Sequence, residues 1–210
     1  MIHLTPHECR ALGVLVEKAQ TTPQQYPLTL NALAAGCNQK NNREPVMELS
    51  DEQAQIALDG LRQKGLAREV MLSGSRVEKF RHVARETLEI DTRELVILAE
   101  LLMRGPQTTG ELRNRASRMH ALETTDVVKN ILDSLMNRPE PFVKELPPAP
   151  GDRAPRFMQL LCPEAHPIDA APVRTTAPSA AAPISELLQR IERLERDMEQ
   201  IKQVISQLGG

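Results

Sequence analysis

One pattern of residues occurs twice along the chain, and this duplication restricts the fold more than any single motif does. RALGVLVEKAQTT, Arg10 to Thr22, aligns with RELVILAELLMRG, Arg93 to Gly105. Leu12, Leu15, Val16 and Ala19 fall on Leu95, Leu98, Ala99 and Leu102, both sets spaced i, i+3, i+4, i+7 as on one face of a helix. Farther on, IALDGL from Ile56 matches NILDSL from Asn130, LAREV from Leu66 matches FVKEL from Phe142, and KFRHV from Lys79 matches RFMQL from Arg156. The order is kept, so the chain carries two copies of one domain, over residues 1–86 and 87–163.

Each copy predicts three helices and a two-stranded ribbon. The second helices are TLNALAAGCNQ and TTGELRNRASRM, with Leu33 and Cys37 corresponding to Leu112 and Ala116. The third helices start at Ser50 and at Thr124 or Thr125, burying Ala54, Ala57, Leu58 and Leu61, or Val128, Ile131, Leu132 and Leu135. Ribbons turn at Ser73 to Ser75 and at Ala149 to Asp152. The fold class is mainly α with small β-ribbons (α+β). Three helices and a hairpin of this size follow the winged-helix plan, a helix-turn-helix variant.

After Pro163 the texture changes. Residues 164–183 are Pro- and Ala-rich without a periodic apolar face, as in an extended linker. Residues 184–210 then repeat in heptads, with Ile184, Ile191, Met198 and Ile205 at a and Leu187, Leu194, Ile201 and Leu208 at d. A lone amphipathic helix packed on its own domain could show such a stripe. The linker and the narrow a/d seam favour a coiled coil that joins two copies of the chain. Arg190 with Glu195 and Asp197 with Lys202 suit either orientation, while Ile at a with Leu at d favours a parallel pair.

YPLTLNALAAGCNQKNNREPVMELS, SRVEKFRH and LLMRGPQTTGELRNRASRMH resemble the signature segments of the YceH-like bacterial proteins, a tandem winged-helix family without an assigned function. The resemblance covers about Leu4 to Leu161 and departs from the family's charge pattern in LPPAPGDRAPRFMQL. It implies a fold and a cytoplasmic location; it implies no activity.

Composition narrows the chemistry. Cys9, Cys37 and Cys162 are odd in number and form no CxxC pair, which points to a reducing compartment and away from a zinc ribbon. Cys9 and Cys37 lie on apolar stripes as small hydrophobes, whereas Cys162, beside Pro163, is expected to be the more reactive thiol. His3, His7, His82, His120 and His166 make no ligand motif, and no phosphate-binding Gly loop or nucleophile elbow occurs. No enzyme activity, metal or cofactor is expected. No apolar run approaches membrane-spanning length, so a cytoplasmic protein without membrane contact is expected.

Two polar clusters could meet a partner. CNQKNNREPVMELS, Cys37 to Ser50, enlarges the turn between the second and third helices of copy one, where Lys40 and Arg43 could pair with phosphates. The other reading is a turn made permissive by Asn41 and Asn42, with Asn38 capping the helix and Pro45 ending the loop. In ELRNRASRMH, Arg115 and Arg118 project away from Leu112 and Ala116, to bind an anion or to pair with Glu111. Arg76, Lys79 and Arg81 on the first ribbon complete the candidate phosphate contacts. Charge restrains the DNA reading, since residues 1–86 hold 11 Lys and Arg against 10 Asp and Glu, and residues 87–163 hold 10 against 11. Two partners remain open: duplex DNA held by a dimer, or another protein, with Ile56 and Met136 on the third helices as apolar anchors.

Overall fold

Capping residues set where the helices begin. In the computed structural model, which describes residues 2–71, 77–148, 151 and 153–166, α1 (Pro6–Thr21) opens at Thr5. Thr5 Oγ1 accepts the Glu8 N–H at 3.3 Å while Glu8 Oε2 accepts the Thr5 N–H at 2.7 Å. The same reciprocal box opens α3 (Asp51–Gln63) at Ser50 with Gln53, α5 (Thr92–Arg104) at Asp91 with Glu94, and α6 (Thr109–Ala116) at Thr108 with Glu111. Thr29 and Thr124 cap α2 (Leu30–Cys37) and α7 (Thr125–Met136). A short α4 (Ala84–Leu88), not expected from the sequence, leads into the second copy.

The strands are short and antiparallel. β1 (Ala67–Val70) pairs with β2 (Lys79–His82) from Ala67↔His82 to Val70↔Lys79. In the second copy β4 (Val143–Leu146) pairs with β5 (Arg156–Gln159), and β3 (Gln107–Thr108) adds to the other edge of β5. The expected two-stranded ribbon therefore gains a third strand there. Copy one makes a single bridge at the same place, Leu28↔Phe80, rather than a strand. The molecule is thus mixed helix and small sheet, and Met1–Pro167 form one compact unit.

The inward stripes largely follow the periodicity: Leu12, Leu15, Val16, Leu95, Leu98, Ala99 and Leu102 are buried, as are the α3 and α7 sets and the Leu33–Cys37 and Leu112–Ala116 pairs, whereas Ala19, in the last turns of α1, is half-buried. One period does not describe α1 and α5, however. Every residue from Glu8 to Glu17 and from Leu95 to Met103 is buried, because α1 and α5 pack on each other as well as on their own copies. Gly13 permits the approach, since a Cβ there would stand 2.6 Å from Met103 Cγ. A mid-helix glycine costs roughly 1 kcal/mol relative to alanine, and the close packing accounts for its presence.

Burial bears on two expectations. Cys162 is as buried as Cys9 and Cys37, because the chain after β5 turns back under α1, where Leu4 N–H donates to Leu161 O at 2.7 Å. The two neighbouring thiols shift apart, the Cys162 pKa down and the Cys9 pKa up, the direction the expected reactivity of Cys162 requires. Met136 is partly buried and packed on the core, so it is no free anchor. Arg76 and the heptad positions Ile184 to Leu208 lie outside the described residues.

Candidate nucleic-acid interface

The loop from Asn38 to Leu49 is fastened at both ends and in the middle. Asn38 ends α2, and its side chain both donates to Leu49 O at 2.8 Å and accepts from Leu49 N at 2.7 Å, closing the loop on itself. Asn42 takes the left-handed conformation at φ 62°, as a permissive turn residue should. Its carbonyl side chain accepts from Arg104 of α5. Glu44 N–H donates to Met103 O at 2.9 Å, and the Glu44 carbonyl accepts from His166 Nε2 at 2.8 Å. Arg10, 1% exposed, donates to Cys37 O at 3.1 Å and to Pro45 O at 2.6 Å. The polar loop therefore ties copy one to copy two.

Arg43 shows the consequence. Its guanidinium is buried, donating to Glu17 Oε2 at 2.5 Å, to Gly36 O at 3.1 Å, to Asn42 O at 2.8 Å and to Gln39 Oε1 at 3.1 Å. The expectation that Arg43 meets phosphate is corrected: its donors are spent inside the protein. Lys40, three residues earlier, is exposed.

Arg118 and Arg115 are likewise engaged. Arg118 binds Glu17 through Nη1 and Glu100 Oε2 through Nη2 at 3.1 Å, while its Nε donates to Arg115 O at 3.2 Å. Burial pushes the Glu17 carboxyl up, but the hydrogen bonds and charges of Arg43 and Arg118 outweigh it and hold its pKa below the ordinary range. The same two glutamates, in turn, offset burial at Arg118 and raise its pKa. Arg115 pairs with Glu111 at 3.2 Å, one turn away, and donates to Gln107 Oε1 at 2.9 Å. Arg104 Nε lies 3.1 Å from Glu100 Oε1, out of line for a hydrogen bond. Glu17, Glu100 and Arg104 were not singled out in the sequence. A signal existed: RALGVLVE and RELVILAE end on a glutamate at the same place of the repeat, inside otherwise apolar helices.

The outward face of the first ribbon is different. Arg68 lies directly opposite Arg81, and Val70 opposite Lys79, on the side of the pleat away from buried Phe80. Arg68 and Arg81 are exposed and Lys79 is half-buried; among the described residues none of the three has an ion pair. Arg68 is absent from the sequence candidates, and only the strand register sets it against Arg81. On the neighbouring α3, Ile56 is 65% exposed and Arg62 is occupied by Asp59 and Glu69, each at 3.1 Å.

Among the described residues no group of three His, Cys, Asp or Glu could hold a metal ion, and no helix is long and apolar enough to cross a membrane.

A family model described as a protein of unknown function, DUF480, matches residues 4–152. The chain is 39% identical over 211 residues to a UPF0502 protein of Shewanella loihica, covering 99% of this chain and 98% of that one. It is 48% identical over 180 residues to one of Geobacter sulfurreducens, covering 86% and 81%. A third, of Mesorhizobium japonicum, is 41% identical over 207 residues, covering 99% and 97%.

Proposed function

The chain belongs to the DUF480 family, whose description names no activity, and from that premise we propose a role on the strength of its own geometry. It is a non-enzymatic regulatory protein of two winged-helix copies, dimeric through its C-terminal heptads, that holds duplex DNA through the ribbon β1–β2. The element order supports the winged-helix reading, because each copy runs through three helices into an antiparallel pair of strands. The tie between the copies supports a fixed spacing of the two.

The observation that carries the DNA reading is Arg68 opposite Arg81 with Lys79 alongside. Like charges directly across a strand pair are destabilising, and among the described residues this pair has no carboxylate partner to relieve it. A phosphodiester backbone would supply that relief. Helix α3 has little to read bases with, since Asp51 and Glu52 occupy its first turn and Asp59 ties up Arg62. Binding is therefore sequence-independent and salt-sensitive. Titration of labelled duplex against salt tests it: Arg68→Ala with Arg81→Ala should weaken binding and flatten the log–log salt slope by about 2, at about 1 per lost phosphate contact. Absence of binding by the unaltered protein at low salt would end the reading.

A second reading, contact with another protein, is favoured by Ile56 at 65%, Met71 at 81% and Val77 at 58% exposure. Isolated exposed apolar residues are ordinary, but Ile56 sits at the centre of α3, where a partner would meet it. If this reading holds, Ile56→Asp abolishes association with a partner protein while the paired ribbon changes leave that association intact.

A further inference from the structure

Independently of the ribbon, we propose that Arg104, Arg115 and Arg118, at the rim of the junction between the copies, form a binding site for a phosphate-type oxyanion. The argument starts from charge. Four arginines gather here, Arg43, Arg104, Arg115 and Arg118, around two buried carboxylates, Glu17 and Glu100, with Arg10 beside Arg43. Glu111, 43% exposed on its side chain, Glu44 near Arg10, and Lys18, 3.9 Å from Glu17, complete the surrounding charges. Positive charge is in excess where water is scarce. Burial and the neighbouring charges of Arg115, Arg118 and Arg43 push the Arg104 pKa down against the pull of Glu100.

Three of these guanidiniums reach solvent, with side-chain exposures of 17% for Arg104, 33% for Arg115 and 28% for Arg118. A guanidinium carries about five N–H donors. Hydrogen bonds engage three donors on Arg118, one on Arg115 and one on Arg104, so donors remain at the rim. The three are also held in place before any ligand arrives: Arg118 by both glutamates, Arg115 by Gln107 and Glu111, Arg104 by Asn42. Little side-chain freedom is lost on binding, and planar forks suit the several oxygens of a phosphate. Sulfate, a free phosphate, and a phosphate carried by a nucleotide share this chemistry.

The test uses the full chain. Thermal unfolding is measured with sodium pyrophosphate, with ATP, and with sodium chloride at matched ionic strength, alongside calorimetric titration of pyrophosphate. Pyrophosphate at tenfold excess over Kd should raise Tm by about 3–6 °C beyond the chloride control. Arg115→Gln, which leaves the buried pairs intact, should weaken binding at least tenfold, whereas Arg85→Gln, an exposed arginine on α4, should not. ATP binding at equal strength would assign the site to the phosphate chain; binding only with ATP, or a rise no larger than with chloride, would overturn the proposal. So would an Arg115→Gln protein that folds and binds pyrophosphate unchanged.

Discussion

Glu17 and Glu100 hold the same place in the two copies of the repeat, and one guanidinium, that of Arg118, binds both. A surface pair of this kind would contribute little to stability. Here the carboxylates are 3% and 0% exposed, and Arg43 behind Glu17 is 0% exposed, so each partner is needed to neutralise the others. The duplicated helix thus supplies two acids, and the turn that follows α6 in copy two supplies the base between them.

Removing one member of this network strands a buried charge. Glu17→Ala should destabilise the protein by about 3–5 kcal/mol, the usual cost of breaking a buried pair from one side. Replacing Glu17 by Gln and Arg43 by Met together should cost less than the sum of the single changes, by 1 kcal/mol or more. Urea unfolding at neutral pH measures both. An effect below about 1 kcal/mol for Glu17→Ala would mean that water reaches the site.

Acid should loosen the molecule through His166. Its Nε2–H donates to the Glu44 carbonyl, its Nδ1 is buried without a partner among the described residues, and burial lowers its pKa to about 4. Since the unfolded chain takes up the proton near pH 6.5 and the folded one only near pH 4, stability is complete above about 6.5 and falls as pH drops toward 4. His82, also lowered to about 4 by burial, acts in the same direction. Glu17, held below the ordinary carboxylate value by Arg43 and Arg118 despite its burial, adds its own loss only at the acid end of this window. Stability measured against pH should show this slope, and His166→Gln should flatten it; an unchanged slope would place His166 in contact with water.

Packing at the α1–α5 contact should be intolerant of side chains at position 13. Gly13→Ala gains roughly 1 kcal/mol of helix propensity but forces its Cβ against Met103 Cγ at 2.6 Å. Overpacking costs about 1–3 kcal/mol, so a net loss is expected, with Gly13→Val worse. Met103→Ala should relieve the clash, so the double change should be more stable than the two single losses predict. Additive losses would show that α1 and α5 are not in close contact.

Why some of this was legible in the sequence and some was not follows from periodicity. The stripe Leu12, Leu15, Val16 repeats at Leu95, Leu98, Ala99, and a helix facing one core must show such a stripe. Val14, Val96, Ile97 and Met103 lie off it; they report a second contact, but a single stripe cannot say with what. The caps at Ser50 and Thr124 act over three residues and are therefore readable. Arg43 was not, because its partner Glu17 is far away in sequence and the loop's polarity looks the same whether it faces water or a buried acid. Arg68 and Arg81 become neighbours only through strand register, which local pattern does not carry.

The heptads from Ile184 to Leu208 should make the full-length protein a homodimer. Eight a and d positions, all aliphatic or Met, each contribute about 1.5–3 kcal/mol when buried, against an association cost of about 4–15 kcal/mol. A pair of such seams therefore supports a dimer at micromolar concentration. The place of truncation matters. His166 is packed so closely on Gly105 that a Cβ there would stand 2.7 Å from its ring, and Ala165 belongs to the core, so a cut after Pro163 would damage the body and confuse the result. Sedimentation should compare the full chain, a chain ending at Pro167, and a full chain carrying Ile191→Asp and Leu194→Asp. The expected outcome is a dimer for the first and monomers for the other two. A dimeric Pro167 form would move the interface to the body, and a monomeric full chain would mean that the apolar seam is covered by the chain's own surface or by a different partner.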